Sequence, residues 1–275
     1  MFSFVDDLLT HPAFHGGVAP FGVALLAAIS LKRLRLAGLA VPAGFITCMY
    51  LVSGLDLVPL TATRKILLLG VLASTLGVVC DLAFKQARLA VLLATMAVAG
   101  AIWAFWSVLA QKPASEAWLL GGTTALVVGF LVWTSQHWLA GDGVRVGAAG
   151  LGLGLGIGVA AIFSASATYG LYGISIGAGA GAFLLPQMIG GRKWFAGVTF
   201  TLTTMLLSGL VGAGAMILAE LPWYSLLAFA LVPLAARAPG PESGPVWLQA
   251  VVFSLYSFAI AALACVLAWP AAQQT

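Results

Sequence analysis

The sequence predicts an all-α bundle of transmembrane helices, a polytopic integral membrane protein, and three observations predict it. Of 275 residues, 62% are apolar and only 7% are charged, where a soluble domain carries roughly 25% charged residues. The apolar residues fall in runs close to the ~20-residue length that crosses a bilayer as a helix. Between the runs stand cations and turn formers. A water-soluble fold of this size lacks the polar surface to cover its core, whereas a bilayer accepts an apolar exterior and requires only that backbone groups pair internally.

Ten segments are candidates for such spans. The first, 15–32, stops at the cation run Lys32-Arg33-Leu34-Arg35, and the second, 36–54, stops before the long connection Asp56 to Arg64. The third, 66–84, and fourth, 88–110, are divided by Lys85 and Arg88. The fifth, 117–136, follows Lys112-Pro113 and precedes the turn Gly141-Asp142-Gly143. From Val146 to Gly191 no residue is charged, and the interval is too long for one span, so it divides into 146–164 and 169–188 with a turn at Ser164 to Gly170. The eighth, 195–219, ends at Glu220. The ninth, 222–236, is short and contains Pro233, which reads as a tilted, broken or re-entrant segment and makes nine crossings the alternative count. The tenth, 246–268, follows the turn-rich stretch Ala235 to Gly244.

Cations concentrate on the cytoplasmic side of a membrane protein. With ten spans and an outer N-terminus, the inner loops carry Lys32, Arg33, Arg35, Lys85, Arg88, Arg145, Arg192, Lys193 and Arg237, and the outer ones only Arg64, Lys65 and Lys112. Both termini are therefore expected outside. Trp103, Trp106, Trp118, Trp138, Trp194, Trp223, Trp247 and Trp269 lie close to segment ends and Trp133 lies deeper, as expected for rings that favour the headgroup level. Too little chain remains between the spans for a folded extramembrane domain, so residues 1–275 read as one integral membrane domain. The acidic N-terminus, with Asp6 and Asp7, lacks the basic region of a secretory signal. The Ala-, Gly-, Val- and Leu-rich, Lys-poor composition is that of a GC-rich bacterial genome and suggests a bacterial inner membrane.

The most distinctive motif is a pair of glycine-rich segments. Gly150, Gly154 and Gly158 stack on one helical face, as do Gly173, Gly177 and Gly181 on the next; this GxxxG spacing lets backbones approach closely. The pattern predicts a tightly packed hairpin. The sharper alternative is a partly unwound stretch lining a substrate path, because each interior glycine costs a helix about 1 kcal/mol relative to alanine. Hydroxyls gather alongside: Ser164, Ser166, Thr168, Tyr169, Tyr172 and Ser175, then Thr199, Thr201, Thr203, Thr204 and Ser208, with Gln187 after Pro186. Such hydroxyls commonly bond a backbone carbonyl or a neighbouring helix. If the chain conducts a solute, the walls are expected at Gly154, Gly158, Ser164, Ser166, Thr168, Tyr169, Tyr172, Ser175, Gly177, Gly181, Gln187, Thr199 and Thr203.

Chemistry-bearing groups are sparse. Asp81, four residues before Lys85, reads as an interfacial ion pair rather than a central coupling carboxylate. His11 and His15 flank Pro12, His137 lies between Gln136 and Trp138, and Cys48, Cys80 and Cys265 have no metal-like spacing. No metal and no cofactor is therefore expected. The net charge of +4 is scattered and does not imply nucleic-acid binding, so no nucleic-acid partner is expected; the lipid bilayer, a homo-oligomer or other membrane subunits are the partners open to it. These features favour a transporter- or permease-like protein for a neutral, apolar or amphipathic substrate. A non-catalytic accessory subunit is the rival, and a membrane-embedded enzyme built on His11, His15, His137 or Asp81 the third reading.

Overall fold

The computed structural model describes residues 11–56, 58–83 and 89–272, and every regular element among them is helical. Ten helical segments follow one another: α1 (Phe14–Leu34), α2 (Ala37–Ser53), α3 (Ala62–Ala83), α4 (Ala90–Leu109), α5 (Ala114–Trp138), α6 (Gly143–Phe163), α7 (Ala167–Gly190), α8 (Gly197–Leu218), α9 (Trp223–Ala236) and α10 (Val246–Ala272). Each expected segment is matched within a few residues. Eight are long and apolar enough to cross a membrane; α2 and α9 are shorter apolar helices. These eight helices are those of a multi-pass membrane protein. Lys85, Arg88, Asp6, Asp7 and Leu57 lie outside the described residues, so the cation distribution is followed through the others.

Local chemistry sets the helix ends. Asp142 opens α6, its carboxylate accepting from the Val144 and Arg145 N–H groups at 3.0 and 3.3 Å; an N-cap of this kind satisfies donors the first turn leaves unpaired. Ser166 does the same for α7, which ends where Gly191 turns left-handed at φ +61°. The first turns of α1 are π-helical, Phe14–Val18. This widened stretch precedes Pro20, which has no N–H to give the carbonyl four residues back.

Helix α8 is the axis of the bundle: 94% of its apolar window is buried, against 22% for α1. It packs against α2 to α7 and α9. The helix order alternates between two ends. At one end the last turn of α1 and the α1–α2 linker meet the α7–α8 linker, with Lys32 over Trp194 and Arg35 over Phe195; Asp81 of α3 reaches the start of α8, and Arg237 after α9 covers Trp138 of α5. At the other end Ser53 of α2 and Thr63 of α3 meet Tyr172 and Tyr169 of α7, and Phe163 of α6 meets Trp269 of α10. We call these the basic end and the tyrosine end.

Candidate functional site

The glycine pair forms a packed hairpin. Both α6 and α7 are continuous helices, which overturns the unwound alternative. The reason is geometric, since the neighbouring backbone fills the space side chains would take. A Cβ at Gly154 would stand 2.6 Å from the Gly177 Cα, and one at Gly158 would stand 2.8 Å from the Ile174 nitrogen. Gly177 meets Leu155 at its nitrogen, 2.9 Å from an added Cβ, and only Gly181 is looser, 3.5 Å from Leu151. Close van der Waals approach thus offsets the low helical propensity of glycine.

The expected wall residues divide between the two ends. At the tyrosine end, Tyr172 is fully buried and its hydroxyl shares a hydrogen bond with the Ser53 hydroxyl. Tyr169 is 6% exposed, stands edge-on to Tyr172 at 6.1 Å and meets the Thr63 hydroxyl at 3.5 Å. The Ser175 hydroxyl donates to the Tyr172 carbonyl at 2.8 Å, and that of Ser164 to Ala160 at 3.0 Å. Ser166 is the α7 cap and Thr168 is exposed beside it. Next to the tyrosines a cleft of about 290 Å³ opens, lined by Met49, Ser53, Gly54, Asp56, Pro59, Thr61, Thr63, Arg64 and Leu67. The Arg64 guanidinium is held over it by donation to the Pro59 carbonyl at 2.6 Å. The cleft therefore offers a carboxylate, a guanidinium and three hydroxyls above an apolar floor.

At the basic end, the side-chain carbonyl of Gln187 accepts from the Trp194 N–H at 2.8 Å while its amide donates to the Phe183 carbonyl at 3.0 Å. This pairing fixes the α7–α8 linker. Thr199 donates through its N–H and its hydroxyl to Asp81, at 2.9 and 2.6 Å, and the Val198 N–H donates to the same carboxylate at 2.7 Å. Asp81 thus caps the N-terminus of α8 from another helix; the expected local pair with Lys85 involves a residue outside the described ones. A carboxylate there also faces the positive end of the helix dipole. Gln187 and Tyr172 are fifteen residues apart on α7, roughly 22 Å along its axis, so the expected walls do not form one chamber.

Between the ends lies a buried seam of hydroxyls on α8. Thr203, Thr204 and Ser208 have buried oxygens without a hydrogen-bond partner among the described residues, as do Thr124 and Ser135 of α5. Residues read from the sequence as one cluster are thus three groups: a packed hairpin, a cleft with tyrosines, and a capped basic end. Ser53, Asp56, Thr61, Thr63 and Arg64 did not stand out in the sequence. Their signals were the length of the Asp56 to Arg64 connection and the place of Arg64 among the few outer cations.

The histidines and Asp81 do not converge. The His11 Nδ1 accepts from the Ala13 N–H before α1, at the tyrosine end, whereas His137 stacks on Trp133 at 5.8 Å near the basic end. Among the described residues no group of three or more His, Cys, Asp or Glu side chains could hold a metal. The chain matches no protein-family model and no curated protein.

Proposed function

We propose that the chain is a small transporter or permease of a bacterial inner membrane, crossing it ten times with both termini outside and passing a neutral or amphipathic solute. The observation that carries this reading is the cleft of about 290 Å³ at the tyrosine end, opposite a basic end whose linkers Gln187 and Asp81 hold in place. Deeper in the bundle, α8 carries the buried, unpartnered hydroxyls of Thr203, Thr204 and Ser208, the polar groups a solute path through the bundle would draw on.

The arrangement of the halves supports the same reading. Exchanging α1–α5 with α6–α10 maps the α1–α2 contact onto α6–α7 and α4–α5 onto α9–α10, and it returns α2–α7 and α3–α8 to themselves. Inverted repeats of this kind underlie many transporters. The match is partial, because α6 packs along α10 while α1 and α5 have no comparable contact.

A specific observation keeps the accessory-subunit reading as the second: an apolar groove of about 480 Å³ between α4 and α5, walled by Trp106 and Trp118, is the shape a partner helix fills. Native mass spectrometry of the chain, extracted from its own membrane into lipid nanodiscs, separates the two. A chain carrying a defined small non-lipid mass, lost in Thr63→Trp, supports transport through the cleft. A stoichiometric partner protein with no such mass overturns it in favour of the subunit.

A further inference from the structure

The basic end brings together five cations, four of which pair with no carboxylate among the described residues. Lys32 and Arg33 stand in the last turn of α1, Arg35 in the α1–α2 linker, and Arg192 and Lys193 in the α7–α8 linker; all five are exposed. These segments are held side by side. Lys32 Nζ lies 5.5 Å from the centre of the Trp194 ring and the Arg35 guanidinium 5.8 Å from that of Phe195, while Gly38 seats the start of α2 against the Ala196 carbonyl, 3.1 Å from where a Cβ would stand. Both chains turn left-handed at this place, at Arg35 (φ +60°) and Gly191 (φ +61°).

The nearby acids are engaged elsewhere. Asp142 pairs with Lys193 at 3.1 Å and with Arg145 while capping α6. Both oxygens of Asp81 accept from the first turn of α8. Among the described residues Lys32, Arg33, Arg35 and Arg192 have no ion pair. Four such cations on two adjoining segments make this end of the bundle strongly positive, a field that attracts an anion from outside the chain.

The surroundings say which anion. The patch lies where the apolar helices α1 and α7 end and α2 and α8 begin, and it exposes Leu34, between Arg33 and Arg35, at 62% and Phe195 at 36%. Apolar tips amid cations suit a surface with acyl chains beneath and phosphate above. Guanidinium groups bind phosphate oxygens in a bidentate fork. We propose that the last turn of α1, the α1–α2 linker and the α7–α8 linker together form a binding site for the headgroup of an anionic phospholipid. The site is independent of whether the cleft transports a solute.

The experiment incorporates the full chain in nanodiscs containing equal amounts of phosphatidylglycerol and phosphatidylcholine and measures by native mass spectrometry which lipids remain bound. The wild type is expected to retain phosphatidylglycerol preferentially. The double variant Arg33→Gln/Arg192→Gln, which removes no internal contact, is expected to lose that preference by about fivefold for each cation removed. The control Lys65→Gln/Lys112→Gln removes the same charge from the tyrosine end and keeps the preference. Equal retention in the two doubles, or none in the wild type, overturns the site. Stabilisation against heat by inorganic phosphate as strong as that by phosphatidylglycerol also overturns the lipid assignment, and makes the ligand a soluble phosphate.

Discussion

Two side chains at the basic end finish helices to which they do not belong. Asp81 of α3 accepts from the first N–H groups of α8, and Arg145 of α6 donates to the Ala236 and Ala238 carbonyls at the end of α9, at 2.9 and 3.0 Å. Arg145 also reaches Glu242 at 2.9 Å and lies 4.1 Å from the Phe253 ring centre. Removing a cap leaves buried backbone groups unpaired, so Asp81→Ala is expected to cost about 1–3 kcal/mol of stability in detergent. Asp81→Asn, which keeps one acceptor, should cost less; equal losses in an SDS-unfolding titration would contradict the capping role. Arg145→Lys should loosen the 237–245 linker, because one ammonium cannot reproduce the planar fork; limited proteolysis reads this as faster cleavage there. The sequence made Asp81 legible as interfacial but not its partner, since a capping contact across more than a hundred residues leaves no local spacing to read.

The α6–α7 hairpin was the most legible element, because GxxxG spacing states directly which face must come close. The register of the two helices was not legible: nothing in the letters aligns Gly154 with Gly177 and Gly158 with Ile174. That register decides the outcome of substitution. Gly154→Ala places a methyl group into the Gly177 backbone and is expected to destabilise by about 1–3 kcal/mol, whereas Gly122→Ala on α5, with no atom within 4 Å of the added Cβ, should be neutral or stabilise by about 0.5–1 kcal/mol. Unfolding of the two variants under the same conditions checks the contrast. Loss of transport on enlarging Gly154 would therefore report broken packing, and side chains of the cleft are the better probes of a solute path.

For the molecule as a whole, the segment count follows from hydropathy alone, while the cleft does not, because it exists only where the end of α2, the connection after it and the start of α3 close on one another. If all ten segments cross, a cysteine placed at Arg33 and one at Ser243 should react with a membrane-impermeant thiol reagent from one side, and one at Thr61 or Lys112 from the other; Cys48 and Cys80 are buried and give little background. Labelling of Arg33→Cys and Thr61→Cys from the same side would show that α2 turns back. The short helices bear on the lipid as well. The 17 residues of α2 and the 14 of α9 rise only about 25 and 21 Å, against roughly 30 Å of hydrocarbon in an average bilayer. Wherever α2 and α9 meet lipid, the leaflets must pinch inward or the helices must sink their ends, at fractions of a kcal/mol per ångström of shortfall. The protein should accordingly unfold at a higher temperature in dimyristoyl than in dioleoyl lipid of the same headgroup, and its short helices would tend to gather thinner membrane around them.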